Sequence, residues 1–127
     1  MEQGARRVNS FEDLLAWQKA RFLAKEVYKM TREFPKDEQF GLTSQMRRAA
    51  TSVTANIAEG FSRQTLADKT HFYAMALGSL TELQSFLYNA LDVGYLKESE
   101  RGNLYNQSIM AHKLLTGLIK STKRRAV

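Results

Sequence analysis

The segment that most constrains the fold of this chain is residues 42–63, because its pattern fits a helix that is packed on more than one side. Apolar residues recur there at the i, i+3, i+4, i+7 spacing by which a helix buries one face. These residues are Leu42, Met46, Ala49, Ala50, Val53, Ile57 and Phe61. A second row steps by three and contains only small residues, namely Ala49, Ser52, Ala55 and Ala58. Because small side chains let another helix backbone come close, the segment is predicted to pack tightly in a helical bundle.

Three other segments carry apolar residues at helical spacing, and no segment has the alternation of a strand. Ser10 and Thr65 suit helix N-caps, since a hydroxyl accepts a hydrogen bond from the first turn. Pro35 ends the first helix because proline cannot donate to the helical ladder, and Gly94 ends the third. The predicted helices run from Ser10 to about Arg32, from Thr43 or Ser44 to Gly60, from Thr65 to Gly94, and from Leu96 to about Thr122.

Details of the connections and of one helix contact are also predicted. Gly60 is expected to close the second helix in the left-handed conformation, which glycine adopts without strain. Phe40 is expected to lie beneath the bundle. The small residues Ala76, Gly78 and Ser79 of the third helix are expected to face the small row of the second helix.

Length and composition agree with a single helical domain. The chain has 127 residues, enough to bury a core, and no cysteine for a disulfide or a thiolate metal site. Its apolar runs are too short to cross a bilayer and its N-terminus lacks a signal peptide's apolar core, so a cytoplasmic protein without membrane contact is expected. We predict an all-α fold: an antiparallel up-down-up-down four-helix bundle over residues 10–122, with a flexible leader at 1–9 and a basic tail at 123–127.

A catalytic site is not expected from these residues. A four-helix bundle can hold a di-iron centre, but this needs inward glutamates and a Glu-x-x-His pattern on two helices. The nearest pattern is Asp68-x-x-His71 in the first turn of the third helix, and His112 has Ile109 at the corresponding position. A nucleophile with its base, or two opposed carboxylates, is not indicated either. The chain is therefore predicted not to be an enzyme and to bind neither a cofactor nor a metal ion.

A polar row lies beside the apolar face of the second helix and contains Arg48, Ser52, Asn56, Glu59 and Arg63. Arg48 and Glu59 are about three turns apart, roughly 16 Å, and cannot pair within that helix. Arg48 can meet Glu59 or Glu82 of a neighbouring subunit, or it can pair with Glu82 of its own chain, and the residues leave both alternatives open. The predicted subunit interface of the first alternative comprises Arg48, Ser52, Asn56, Glu59 and Glu82.

The run R-R-A-A-T-S-V-T-A-N-I-A-E-G-F-S-R at residues 47–63 resembles the signature of the four-helix-bundle family of 23S rRNA intervening-sequence proteins. Further matching segments are F-E-D-L at 11–14, W-Q-K-A at 17–20, F-P-K-D-E at 34–38, F-G-L at 40–42 and A-L-G-S-L-T-E-L at 76–83. This resemblance implies a ring-shaped homopentamer. One relative, the accessory variability protein of diversity-generating retroelements, binds nucleic acid and a reverse transcriptase.

The charge balance favours a polyanionic partner. Nineteen Lys and Arg against thirteen Asp and Glu give the chain a net charge of +6, and a ring of several copies multiplies that field. The predicted nucleic-acid-binding residues are Lys25, Lys29, Arg32, Arg47, Lys120, Lys123, Arg124 and Arg125. They are expected to contact the phosphates of RNA or DNA with little sequence specificity, because no base-reading motif is present.

The alternative function is a protein–protein scaffold, a ring that docks a partner such as a polymerase without binding nucleic acid itself. Exposed apolar residues would favour this function. Phe61, Tyr73, Phe86 and Tyr95 are the candidates, although aromatic residues at helical spacing more often belong to a core. A structural role in the ribosome is disfavoured, because the chain lacks the long basic extensions that thread through rRNA.

Overall fold

The structure, a computed structural model, describes residues 7–125 and contains four long helices. They are α1 (Leu15–Thr31), α2 (Leu42–Ser62), α3 (Leu66–Asp92) and α4 (Glu98–Arg125), with short 3-10 turns at Phe11–Asp13 and Lys36–Glu38. The described residues contain no strand, so the predicted all-α four-helix fold is confirmed. Residues 1–6 of the predicted leader and 126–127 of the predicted tail lie outside the described residues. The part of the tail within them, 123–125, continues α4 as helix.

The helix ends show how the bundle is connected. Leu14 before α1, Phe61 at the end of α2, Leu66 at the start of α3 and Leu118 near the end of α4 line one cavity at one end of the molecule. The contacts between α2 and α3 run in opposite chain directions, since Arg48 meets Glu82 and Ser52 meets Ser79. α2 and α3 are therefore antiparallel. α3 and α4 also run in opposite directions, since Gln84 meets Ser108 and Tyr88 meets Tyr105.

The core lies along the bundle axis and is built from the apolar face of every helix. Its most fully buried large side chains include Leu23, Val27, Met46, Val53, Ile57, Leu80, Leu83, Leu87, Leu104 and Leu115. Between α2 and α3, Ala49 and Ala76 are buried, and the hydroxyl of Ser79 donates to that of Ser52 at 3.0 Å. Close packing is therefore confirmed for Ala49 and Ser52 of α2 with Ala76 and Ser79 of α3. The prediction is wrong for Gly78, because this glycine is exposed and a Cβ atom on it would meet no atom within 4 Å.

The start of α2 differs from the prediction. Neither Thr43 nor Ser44 caps this helix, which begins at Leu42. The Glu38 carboxylate in the preceding turn accepts a hydrogen bond from the Leu42 backbone N–H at 3.0 Å and another from the Tyr95 hydroxyl at 2.8 Å. These two donors lower the pKa of the Glu38 carboxyl from its usual value. Glu38 therefore accepts one of the free backbone N–H groups in the first turn of α2. It also joins the α1–α2 connection to the α3–α4 connection, in which Tyr95 lies.

The predicted position of Phe40 beneath the bundle is wrong, because its side chain is 90% exposed. The buried aromatic position at this end belongs to Phe34, whose ring packs against Tyr95 with the ring centroids 5.2 Å apart. Phe40 follows the 3-10 turn Lys36–Glu38, which directs it away from that core. The bundle thus presents one large apolar side chain to solvent in the connection between α1 and α2.

The predicted role of Gly60 is also wrong. Gly60 lies inside α2, and the only positive φ in the described residues, 83°, belongs to Gly94. A Cβ atom on Gly60 would lie 2.7 Å from the ring of Tyr73 and 3.2 Å from the Lys69 backbone oxygen. The absence of a side chain therefore serves a close approach of α3, not a left-handed helix end.

Two other helix ends agree with the prediction. The Thr65 hydroxyl accepts a hydrogen bond from the Asp68 backbone N–H at 3.1 Å, as expected of the N-cap of α3. Gly94 ends that helix with its left-handed φ. At the first helix, Ser10 precedes the 3-10 turn Phe11–Asp13, and α1 begins only at Leu15.

Candidate nucleic-acid interface

Three of the predicted basic residues lie together on the outer face of α1. Lys25, Lys29 and Arg32 are exposed, and their spacing of four and three residues places them on one side of the helix. Arg21, which is also exposed, lies four residues before Lys25 and extends the same side. We call Arg21, Lys25, Lys29 and Arg32 the α1 row. The α1 row spans roughly 16 Å along the helix axis. Arg21 is not among the predicted binding residues, although its i, i+4 spacing to Lys25 places it on the same side of the helix.

Two aromatic side chains are interleaved with the α1 row. Phe22 is 41% exposed and Tyr28 is 39% exposed. The Arg47 guanidinium lies 4.6 Å from the centre of the Tyr28 ring, and its Nε donates to the buried Thr31 hydroxyl at 2.8 Å. Arg47 on α2 therefore lies beside the α1 row, a position that was not predicted, and its contacts with Tyr28 and Thr31 hold its side chain against α1.

The other four predicted cations form a second group at the opposite end of the bundle. We call Lys120, Lys123, Arg124 and Arg125 the C-terminal cluster, and all four are exposed in the last turns of α4. Lys19 on α1 donates to Gln107 on α4, which sets the register of these antiparallel helices. From that register and the helical rise, Lys29 and Lys123 are separated by roughly 40 Å along the bundle. The structure therefore divides the predicted set into two separate groups.

None of the eight predicted cations has a carboxylate partner among residues 7–125. The ion pairs in this part of the chain are Arg48–Glu82, Arg63–Glu59 and Arg101–Glu98. The α1 row and the C-terminal cluster therefore form no ion pair within the described chain, although Glu26 and Glu33 lie within one turn of Lys29 and partly offset its row. Such groups concentrate the positive field at the two ends of the molecule.

The residues of the predicted subunit interface lie along the surface between α2 and α3. Arg48 pairs with Glu82 of its own chain at 2.6 Å, which is the second of the two alternatives. The Asn56 side chain donates to the Ser52 hydroxyl at 3.1 Å, and that hydroxyl also accepts from Ser79. Glu59 pairs with Arg63 one turn along α2 at 3.0 Å, a partner that the sequence reasoning did not consider.

Within residues 7–125, neither of the two histidines belongs to a group of side chains that could bind a metal ion. His71 is exposed in α3 beside the Phe72 ring, and His112 lies 3.4 Å from the Thr116 hydroxyl on α4. No group of three or more histidine, aspartate or glutamate side chains gathers in the described part of the chain. Among residues 7–125, no helix combines the length and the apolar character needed to cross a membrane.

Fold and surface together define a four-helix bundle protein with uncompensated basic groups at both ends. Residues 12–117 match the protein family described as 23S rRNA-intervening sequence protein, and the chain belongs to that family. A similar solved structure is that of a protein with unknown function from the S23 ribosomal protein family of Bacteroides thetaiotaomicron VPI-5482. Its TM-score is 0.74 at 26% sequence identity, and the match covers 84% of this chain and 99% of that one. No curated protein matches the chain.

Proposed function

We propose that this chain is a non-catalytic, homo-oligomeric bundle that binds RNA or DNA through phosphate contacts with little sequence specificity. The observation that carries this proposal is the absence of carboxylate partners for the eight predicted cations within residues 7–125. Lysine and arginine side chains that are exposed and uncompensated release counterions when they meet phosphates, and this release drives sequence-independent binding. Contacts of this kind position a nucleic acid without reading its bases.

The aromatic residues in the α1 row support a single-stranded ligand. A basic track that carries exposed aromatic rings binds the backbone by charge and the bases by stacking. Phe22 and Tyr28 are half exposed between the cations, although the Arg47 guanidinium already covers one face of Tyr28. The Lys19 ammonium likewise lies 4.9 Å from the centre of the Phe22 ring. Each ring therefore offers its other face to a base.

A homo-oligomer, as the family resemblance implies, suits the proposed function. Lys29 and Lys123 of one chain are about five Debye lengths apart at physiological salt, so one copy presents the two basic groups as separate sites. A ring of five copies repeats each group around a common axis and gives a nucleic acid several simultaneous contacts. Contacts between copies would also bury large apolar side chains that one copy exposes. Among the described residues these side chains include Phe22, Phe40, Met75, Tyr88, Val93 and Met110.

The first test replaces Lys25, Lys29 and Arg32 together with glutamine. We expect the affinity for labelled single-stranded RNA to fall, and the slope of log K against log salt to decrease by roughly two, because each lost phosphate contact contributes about 0.7. Fluorescence anisotropy over a salt series measures both quantities.

The matched control for this variant is Arg63→Gln. Arg63 is an exposed arginine outside the predicted set, and Glu59 at 3.0 Å already compensates its charge. Its removal is expected to change the slope by far less than one per charge. An unchanged slope in the triple variant, or an equal change per charge in the control, contradicts a phosphate site on α1.

A second test addresses the subunit interface through Arg48→Glu. The Arg48 and Glu82 side chains are 50% and 41% exposed, and a pair of this exposure contributes about 0–1 kcal/mol to folding. The variant is therefore expected to remain folded, as judged by circular dichroism. If Arg48 contacts a neighbouring subunit, light scattering will show a smaller assembly; an unchanged mass removes Arg48 from the interface.

The exposure of Phe40 favours the protein–protein scaffold as a second function. The four aromatic candidates for a docking surface, Phe61, Tyr73, Phe86 and Tyr95, are buried or partly buried in the bundle. Phe40, in contrast, is almost fully exposed and gives a partner protein such as a reverse transcriptase an apolar point of contact. Absence of RNA and DNA binding even at low salt, in a folded protein, would favour this second function.

A further inference from the structure

An open cavity of about 700 Å³ lies at the end of the bundle where α1 begins and α4 ends. Its apolar lining includes Leu14, Phe61, Leu66 and Leu118, one from each helix or its immediate flank. A cavity of this volume falls in the range of small-molecule binding sites, which combine an apolar lining with a few convergent polar groups. The cavity is unrelated to the α1 row, which begins beyond it along α1.

Three cations converge on the same cavity. Lys69, Arg124 and Arg125 contribute to its lining. The Lys69 ammonium donates to the Phe61 backbone oxygen at 2.7 Å, which fixes it at the edge of the apolar surface. Lys69, Arg124 and Arg125 form no ion pair with a carboxylate within the described chain. The rim of the cavity therefore carries a positive charge above an apolar floor.

Tyr73 supplies a buried polar group in the same place. The residue is 1% exposed and lines the cavity, yet its hydroxyl has no hydrogen-bond partner among residues 7–125. Burial raises the pKa of Tyr73 to about 12, although the positive charge of Arg125 opposes the shift. The hydroxyl thus stays protonated at neutral pH and is available as a donor. Buried hydroxyls are normally paired, so an acceptor atom in the cavity would satisfy this group.

We propose that this end cavity binds a small amphipathic anion, a compound with a compact apolar or aromatic body and one carboxylate or phosphate group. The apolar body of the ligand lies against Leu14, Phe61, Leu66 and Leu118. Its anionic group contacts Lys69, Arg124 and Arg125. The Tyr73 hydroxyl donates to an acceptor of the ligand. The site shares Arg124 and Arg125 with the C-terminal cluster, but it differs from the proposed nucleic-acid function because its ligand is a single small molecule that also contacts an apolar surface.

Glycines of α4 allow a matched test of this site. Gly117 is exposed and lines the cavity, and a Cβ atom there meets no other atom within 4 Å, so Gly117→Leu adds an apolar side chain at the cavity wall without a clash at its Cβ atom. Gly102 on the same helix has equally open surroundings but does not line the cavity. Gly102→Leu brings the same gain in helix propensity and serves as the control.

The probe is anilinonaphthalene sulfonate, an aromatic anion whose fluorescence rises in apolar surroundings. We expect one probe per chain to bind the wild-type protein, at least tenfold weaker binding to the Gly117→Leu variant, and unchanged binding to the Gly102→Leu variant. RNA affinity should be the same in all three proteins, because both substitutions retain every cation. No saturable binding to the wild-type protein, or equal binding to both variants, overturns the proposal.

Competition with unlabelled ligands tests the anionic group. Decanoate is expected to displace the probe at least tenfold more effectively than decanol, and the Arg124→Gln/Arg125→Gln variant should reduce this preference. Equal competition by decanol and decanoate in the wild-type protein overturns the assignment of an anion site. Comparison of decanoate with naphthyl phosphate then distinguishes a carboxylate ligand from a phosphate ligand.

Discussion

The Gly60→Ala variant is expected to be about 1 kcal/mol less stable than the wild-type chain, although alanine is the better helix former. The new Cβ atom would lie 2.7–2.8 Å from two carbon atoms of the Tyr73 ring. That ring is 1% exposed, and the Cβ atom would also lie 3.2 Å from the Lys69 backbone oxygen, so the backbones of α2 and α3 must shift apart. Overpacking of this kind costs about 1–3 kcal/mol, which exceeds the gain in helix propensity of about 1 kcal/mol.

The control for this variant is Gly78→Ala. Gly78 lies in the middle of α3, and a Cβ atom there meets nothing within 4 Å. This substitution is expected to stabilise the protein by up to about 1 kcal/mol through helix propensity alone. Urea unfolding followed by circular dichroism compares the two variants. Stabilisation in both would contradict the close approach of Tyr73 to Gly60.

A double variant separates the steric effect from other causes. Tyr73→Leu removes the ring that the new methyl group meets, so Gly60→Ala should cost less in the Tyr73→Leu background than in the wild-type chain. The difference between the two costs is the coupling energy of this pair, and it should be positive and on the order of 1 kcal/mol. Additive effects would assign the destabilisation to the α2 backbone itself.

The features predicted well from the sequence are those that depend on local spacing. The apolar period of residues 42–61 identified the buried face of α2, and Met46, Val53 and Ile57 are all buried. Thr65 and Gly94 act within one turn of their own helix, where capping and left-handed geometry depend on residue type alone. Helix number, order and connections followed from these local signals.

The features that sequence reasoning missed depend on contacts between distant residues. Glu38 caps α2 because the 3-10 turn brings its carboxylate to the Leu42 N–H, and the partner that orients it is Tyr95 in the next connection. Position 60 has no room for a side chain because the ring of Tyr73, thirteen residues later on α3, lies 2.7 Å from where the Cβ atom would be. A glycine near a predicted helix end is compatible with a left-handed helix end and with close contact to a neighbouring helix. Only the packing of that neighbour, here α3, distinguishes the two.

The arrangement of the candidate site could not be predicted from the sequence. The eight basic residues were identified from helix faces and from the charge run at the C-terminus. Their division into two groups follows from the register of α1 against α4, which Lys19 and Gln107 fix across the bundle. The end cavity had no sequence signal, because it forms where the termini of four helices meet and no single segment contains its lining.

Removal of the seven predicted cations other than Arg47 is expected to weaken RNA binding by roughly a thousandfold at low salt, because nearly all of the proposed affinity comes from phosphate neutralisation. The variant replaces seven residues with glutamine: Lys25, Lys29, Arg32, Lys120, Lys123, Arg124 and Arg125. Seven fewer positive charges change the formal net charge of the chain from +6 to −1, so the long-range attraction also reverses. Arg47 is retained because its Nε is bonded to the buried Thr31 hydroxyl, and its loss would disturb the contact between α1 and α2.

A charge-conserving control tests whether this loss is electrostatic. Replacing Lys25, Lys29, Lys120 and Lys123 with arginine retains every charge at the same positions, and we expect RNA affinity and its salt dependence to remain close to the wild-type values. Anisotropy titrations at several salt concentrations, with circular dichroism to verify folding, measure all three proteins. Wild-type affinity in the sevenfold glutamine variant would place the nucleic-acid site elsewhere or exclude it. Loss of affinity in the arginine control would mean that the geometry of individual lysines matters, which a phosphate-binding surface of low specificity does not require.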